Sequence, residues 1–94
     1  MAIIHVPGKD AGHIMLYALS TCGWCAKTRK LLEDMGVAYD YEYVDLLNNE
    51  EEKDKVMNMM EKWNPHFSFP TIVIKEKQCI VGFKEDDIRK ALAK

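Results

Sequence analysis

Hydrophobic positions run along the 94-residue chain in blocks whose period switches between strand and helix. Ile14-Met15-Leu16-Tyr17-Ala18-Leu19 is a continuous apolar run and predicts a strand over 14–18 that is buried on both faces. From Thr21 or Cys22 to about Met35 the period becomes helical: Cys25, Thr28, Leu32 and Met35 share one stripe, Leu31 lies beside it, and Gly36 supplies the stop. Tyr39 to Asp45 alternates at period two, tyrosines on one side and acids on the other, which predicts a half-buried strand near the sheet edge. The strand-helix-strand segment should make these two strands parallel through a right-handed crossover.

The second half repeats the logic. Asn49-Glu50-Glu51-Glu52 has the Asn-x-x-Glu spacing of a capping box, with acids suited to the positive end of a helix. Val56, Met59, Met60 and Trp63 form the apolar face that follows, and Asn64-Pro65 ends it. Met57, Met59 and Met60 read as core packing. Pro70 opens a strand over 71–74, where its missing N–H is tolerable, and Lys75–Gln78 turns the chain into Cys79-Ile80-Val81. The last helix starts with Glu85, Asp86 and Asp87, buries Ile88, Ala91 and Leu92, and carries Lys90 and Lys94 near its end. Residues 1–13 read as an extension: Ile3, Ile4 and Val6 suit a short edge strand or a flap, and Pro7 to Gly12 a turn or linker. The predicted order is β-α-β-α-β-β-α, an α/β domain over 14–94.

The chemistry concentrates at the first strand-to-helix junction, Ser20-Thr21-Cys22-Gly23-Trp24-Cys25-Ala26-Lys27. A Cys-x-x-Cys in this position is a redox motif. Cys22 falls where helix N–H groups lack intrahelical partners, and those groups with the helix dipole favour a thiolate. Cys25, one turn on, lies on the same side and deeper, within reach of a disulfide. Cys22 is thus the expected nucleophile and Cys25 the resolving thiol. Lys27, Arg29 and Lys30 add positive charge nearby, weaker than the helix terminus if solvated. The competing reading is a metal or iron–sulfur module using Cys22 and Cys25. Zinc takes about four ligands, however, and the remaining candidates, Cys79, His5, His13 and His66, lack ligand spacing.

Composition narrows the classes. A chain of 94 residues with 48% hydrophobic and 30% charged residues is one ordinary globular domain. A net charge of −2 and a pI of about 5.9 argue against a nucleic-acid partner. Three cysteines do not make a secreted disulfide framework. The opening Met1-Ala2-Ile3-Ile4-His5-Val6-Pro7 lacks the pattern of a signal peptide, and no run reaches membrane-spanning length. The expectation is a soluble, monomeric, cytoplasmic protein. Cys79 reads as a buried structural thiol, His66 as a surface histidine and Tyr17 as a packing residue.

With these elements in place, the chain resembles the thioredoxin superfamily and, within it, glutaredoxin-type redoxins. The resemblance covers 14–94 and rests on Cys22-Gly23-Trp24-Cys25, Phe69-Pro70-Thr71 and Val81-Gly82-Phe83. It implies a thioredoxin-like fold, a four-stranded mixed sheet flanked by three helices. It makes Pro70 the family's cis-proline facing the cysteine pair, and has the Phe69 backbone pair with substrate as an extra strand. Gly23, Trp24, Phe69, Pro70, Thr71, Gly82 and Phe83 become the substrate-binding set around the catalytic Cys22 and Cys25. The implied function is a dithiol–disulfide oxidoreductase that carries electrons from a reductase to disulfide-bearing proteins, its redox-active disulfide standing in place of a cofactor.

The departures from pattern set the partners. Thioredoxins carry Cys-Gly-Pro-Cys and a buried acid where this chain has Leu16. Glutathione-dependent glutaredoxins carry Cys-Pro-Tyr-Cys, a lysine where this chain has Leu19, and often a Gly-Gly pair where it has Gly82-Phe83. The missing cation weighs against glutathione dependence. The Gly-Phe ending is similar to NrdH-type redoxins, whose electron source is thioredoxin-like. The expected donors are then a thioredoxin-reductase-type flavoprotein, a ferredoxin-linked disulfide reductase and glutathione, in falling order, with ribonucleotide reductase a candidate acceptor.

Overall fold

The computed structural model describes residues 3–47, 49–64 and 68–92; the expectations for His66, Pro65 and Lys94 fall outside them. Along the chain run β1 (Ile4–Val6), β2 (Ile14–Ala18), α1 (Gly23–Asp34), β3 (Tyr39–Tyr43), a short 3-10 turn (Val44–Leu46), α2 (Glu50–Trp63), β4 (Thr71–Ile74), β5 (Gln78–Val81) and α3 (Glu85–Leu92). Among the described residues the sheet has five strands in the order β1-β3-β2-β4-β5. β2 and β3 are parallel, as a strand-helix-strand crossover requires, and the remaining pairs are antiparallel.

The fifth strand corrects the expected count of four. Ile4, His5 and Val6 pair with Tyr41, Asp40 and Tyr39, so β3 lies inside the sheet and not at its edge. The link from β1 to β2 is held by main-chain bonds as well: Lys9 N–H donates to Gly36 O at 2.8 Å and Ala38 N–H to Lys9 O at 2.8 Å. Gly8 is required there, because a Cβ on it would stand 2.7 Å from the Val37 carbonyl carbon.

Every residue of β2 is buried, and its alternation divides the core. Ile14, Leu16 and Ala18 join Cys25, Leu31, Leu32, Ile88 and Leu92, so α1 and α3 cover that face. Met15 and Tyr17 join Val56, Met60 and Val73 under α2. Each fully buried apolar side chain contributes about 1.5–3 kcal/mol relative to exposure. β3 follows the same alternation. Tyr39 and Tyr41 pack on the α1 side, while Asp40 and Glu42 stand opposite Met15 and Tyr17 and so face α2. The acids of this strand are thus not uniformly solvated; Glu42 is only 4% exposed. A second difference is Met59, which is 53% exposed while Met60 is buried.

The predicted start of α2 and stop of α1 are found, the first as a side-chain cap by Asn49 and the second at Gly36. Asn49 caps α2, its side-chain oxygen accepting the Glu51 N–H at 2.7 Å. α1 closes in a Schellman turn: Gly36 N–H donates to Glu33 O at 3.0 Å and Val37 N–H to Leu32 O at 3.4 Å, with Gly36 at φ +71°. No atom lies within 4 Å of a Cβ built on Gly36, so a side chain there meets backbone strain and no clash. Gly36→Ala should therefore lower the unfolding free energy by about 1 kcal/mol, read from urea denaturation, with little change in thiol reactivity.

Candidate active site

The cysteine pair stands where the buried β2 hands over to α1. Cys22 is the N-cap of α1, with φ −90° and ψ 116°, and its sulfur accepts the Cys25 N–H at 3.2 Å. Most N-caps are hydroxyl or carboxamide side chains; here a thiol sulfur occupies the place of that acceptor. Cys22 N–H donates back to Leu19 O at 3.2 Å, and Ala26 N–H donates to Cys22 O at 3.1 Å. Both cysteines are free thiols, Cys22 half-buried and Cys25 buried at 1% exposure.

Cys25 differs electrostatically from an ordinary thiol. Burial pushes it up to about 12, and hydrogen bonding to Cys22 and the negative charges of Cys22 and Asp45 add to that push, while the Leu19 backbone opposes it. Asp45 is a residue the sequence did not single out. Its carboxylate accepts the Ser20 N–H at 2.9 Å and the Ser20 hydroxyl at 2.5 Å, tying the loop before Cys22 to the turn after β3. The Ser20 hydroxyl and then its N–H hold this carboxyl below the usual carboxylate range.

A groove of about 240 Å³ lies beside the pair, lined by Trp24, Phe69, Pro70, Gly82 and Phe83. Trp24, between the two cysteines, is 57% exposed and stacks on Phe83 with ring centroids 5.8 Å apart and planes at 27°. Lys27 Nζ lies 4.5 Å from the Trp24 ring centroid, a cation–π contact. Arg29, expected to add charge near the thiols, is instead turned toward β3. It donates to Tyr39 OH at 3.2 Å and Tyr43 OH at 2.8 Å and lies 4.0 Å from the Tyr41 ring centroid.

The Phe69–Pro70 peptide bond is cis. Gly82 N–H donates to Pro70 O at 2.8 Å, which joins the two loops that form the groove wall. Beneath them is a buried polar knot. Thr71 Oγ1 donates to Ser68 O at 2.7 Å, and Asn64 Nδ2 donates to Ser68 O at 3.0 Å and Thr71 Oγ1 at 3.1 Å. Of the expected site residues, the structure brings Trp24, Phe69, Pro70, Gly82 and Phe83 around one groove next to Cys22 and Cys25. Gly23 is exposed at the start of α1. Thr71 is fully buried below the groove. Asn64, read from sequence only as a helix end, is the anchor of this loop; a polar residue just before a proline gives no sign of burial. Among the described residues, no three histidine, cysteine or acidic side chains are grouped to hold a metal ion. No described helix is long and apolar enough to cross a membrane.

A central mixed sheet, a helix launched by a dithiol and a cis-proline loop beside it define a thioredoxin-like redox protein. The sequence profile of the glutaredoxin family matches residues 14–79, and the chain belongs to that family. A glutaredoxin from Methanosarcina mazei Go1 superposes with a TM-score of 0.90 at 46% identity, over 100% of this chain and 90% of that one. Methanoredoxin from Methanosarcina acetivorans superposes with a TM-score of 0.87 at 49% identity, over 93% of this chain and 90% of that one. A glutaredoxin from Archaeoglobus fulgidus is more distant, with a TM-score of 0.78 and 26% identity over 86% of each chain. No curated protein matches the chain. The family supports thiol–disulfide redox chemistry as the general function.

The raised value of Cys25 has two measurable consequences. At pH 8 iodoacetamide should label Cys22 at least about tenfold faster than Cys25, since only the thiolate is nucleophilic, as mapped by peptide mass spectrometry. Folding also makes Cys25 hold its proton more tightly than in the unfolded chain. The resulting stability is fully present below the ordinary value of 9.0 and is lost as pH rises toward about 12. The urea midpoint should therefore fall less steeply over that window in Cys25→Ala than in the unaltered protein.

Proposed function

We propose that this protein is a dithiol electron carrier that reduces protein disulfides, with Cys22 attacking and Cys25 resolving. The carrying observation is the asymmetry of the pair: Cys22 sulfur at the helix N-cap accepts a main-chain N–H at 3.2 Å, while Cys25 is buried and holds its proton up to about 12. The Cys22 thiolate attacks one sulfur of the substrate disulfide, forming a mixed disulfide and expelling the other sulfur as a thiolate. Cys25 then gives up its proton and attacks the Cys22 sulfur. The Cys22–Cys25 disulfide forms, the second substrate thiol leaves, and two electrons have passed to the substrate. Part of what holds the Cys25 proton is the charge and hydrogen bonding of Cys22. Once Cys22 is in a mixed disulfide that part is gone, which makes the resolving thiol easier to ionise when it is needed. The redox group is the dithiol itself, so the reading calls for no resident cofactor.

Substrate recognition is proposed along the Trp24–Phe83 groove, with the Phe69 backbone, which precedes β4, pairing with an extended segment of the partner. No charged residue is among the described residues lining that groove. Leu19 offers no cation to a glutathione carboxylate, and one lost charged contact weakens binding by about 1–3 kcal/mol, roughly five- to over a hundredfold. This supports a thioredoxin-reductase-type flavoprotein as first donor, then a ferredoxin-linked reductase, then glutathione. Acceptors are disulfide-bearing proteins, ribonucleotide reductase among the candidates.

Cys22→Ser should abolish reduction of a protein disulfide, whereas Cys25→Ser should accumulate a mixed disulfide visible on non-reducing gels. A Cys22→Ser protein that retains turnover would refute the assignment. Oxidised protein offered each donor in turn ranks them; efficient reduction by glutathione alone would overturn the order. A redox midpoint near −270 mV would agree with a thioredoxin-like donor, and one of about −200 to −230 mV with glutathione coupling.

A further inference from the structure

Both neighbours of β2 bring a loop to the level of the cysteines. At its carboxyl end β2 stands beside the end of the parallel β3, Ala18 opposite Tyr43. The chain therefore leaves β2 into the Cys22 loop and β3 into the turn Val44–Leu46 side by side. On the other flank Tyr17 is opposite Thr71, the residue after Pro70, which puts the cis-proline loop there. Among the described residues the exposed large apolar side chains are Ile3, Ile4, Trp24, Leu46 and Met59, and Trp24 and Leu46 belong to these two flanks. A lone exposed leucine carries no message, but Leu46 is held outward. Val44 before it and Leu47 after it are buried, at 8% and 3% exposure. Between them the Asp45 carboxylate is fastened to the Ser20 N–H at 2.9 Å and to its hydroxyl at 2.5 Å. A turn pinned at these three residues cannot fold Leu46 inward, and it stays 56% exposed. Trp24 is fixed on its own flank by the Phe83 ring and Lys27.

We propose that Leu46 is a second substrate contact, and that the acceptor is a folded protein whose disulfide lies on an apolar surface broad enough to cover Leu46 and the Trp24–Phe83 groove together. The inference rests on the reading of Cys22 as the attacking thiol. A small disulfide reaches the Cys22 sulfur and touches one flank at most; a protein surface touches both. Each fixed apolar side chain it covers sheds water with little further loss of side-chain freedom. Asp45 also fastens the Leu46 turn to the loop that carries Cys22. A partner seated on Leu46 is thereby seated in a set relation to the sulfur it must meet, and such orientation favours the attack.

Single-turnover reduction by the pre-reduced protein tests this without any electron donor. Insulin serves as the protein disulfide and hydroxyethyl disulfide as the small one, and the readout is the ratio of their rate constants. In Leu46→Ser the insulin-to-small-disulfide ratio should fall at least about fivefold, the loss expected from one apolar contact, and Leu46→Met should restore most of it. A ratio unmoved in Leu46→Ser, including an equal fall with both substrates, would overturn the inference. A second measurement uses the mixed disulfide that Cys25→Ser traps with insulin. Its Leu46 methyl and Trp24 indole resonances should both shift relative to the hydroxyethyl adduct; a shift of Trp24 alone would also overturn the inference. Failure here is distinct from failure of the redox reading. An unaltered protein that reduces both disulfides while the ratio stays unmoved in Leu46→Ser loses this surface and keeps the function, whereas one that reduces neither loses both.

Discussion

The constraint on which this structure depends is the need to start α1 on a sulfur. A helix N-terminus leaves about four N–H groups unsatisfied, and a hydroxyl or carboxylate at the cap is the usual remedy. Here Cys22 sulfur takes the Cys25 N–H, a weaker acceptor in exchange for a reactive one. The junction is therefore held from outside the cap. β2 is buried along its whole length, so the point from which the loop departs is fixed. Asp45 grips Ser20 through two bonds, and Thr28 and Leu32, both fully buried, seat the helix from beneath.

The second half of the site has its own scaffold, and it comes from α2. Asn64, at the C-terminal end of that helix, reaches Ser68 and Thr71, while Gly82 N–H fastens Pro70 O from the far side. Phe69 packs against both core clusters. The cis-proline loop is thus positioned by hydrogen bonds that a buried polar group must make to remain buried. Groove and helix start meet at Trp24 and Phe83, whose stacking closes the wall.

How much of this was legible follows from what side-chain pattern encodes. β2, α1 and the β4–β5 hairpin were readable because apolar runs, a helical stripe and Gly36 report directly on burial and chain direction. The dithiol was readable because its spacing and its place between strand and helix coincide. β1 was readable only as one of two alternatives, an edge strand or a flap, since a three-residue strand carrying His5 joins the sheet mainly through its backbone, which leaves little trace in residue type. Glu42 misled for a related reason: alternation separates two faces of a strand without saying whether the polar one is covered, and α2 covers it. Asp45 acts through Ser20, 25 residues away, and Asn64 through Ser68 and Thr71 beyond the helix it ends, so neither has a local signature. Met59 shared the helical stripe but stands at the mouth of a cavity that periodicity cannot register.

The two thiols illustrate how one environment can give two reactivities. Both sit in the first turn of one helix, yet Cys22 is at its open end and Cys25 is turned into the core formed by Leu16, Ala18 and Ile72. Desolvation acts on the buried sulfur and favours its neutral form, while the main-chain N–H that Cys25 donates places its dipole at the other. In the proposed exchange this order matters. A pair of equally ionised thiols would repel one another and would close on itself as readily as on a partner. A pair in which one proton is retained until the first sulfur has been consumed performs the two attacks in sequence. In that proposed exchange the burial that completes the core on the α1 side also sets the order of the two attacks, so packing and chemistry at this junction are coupled.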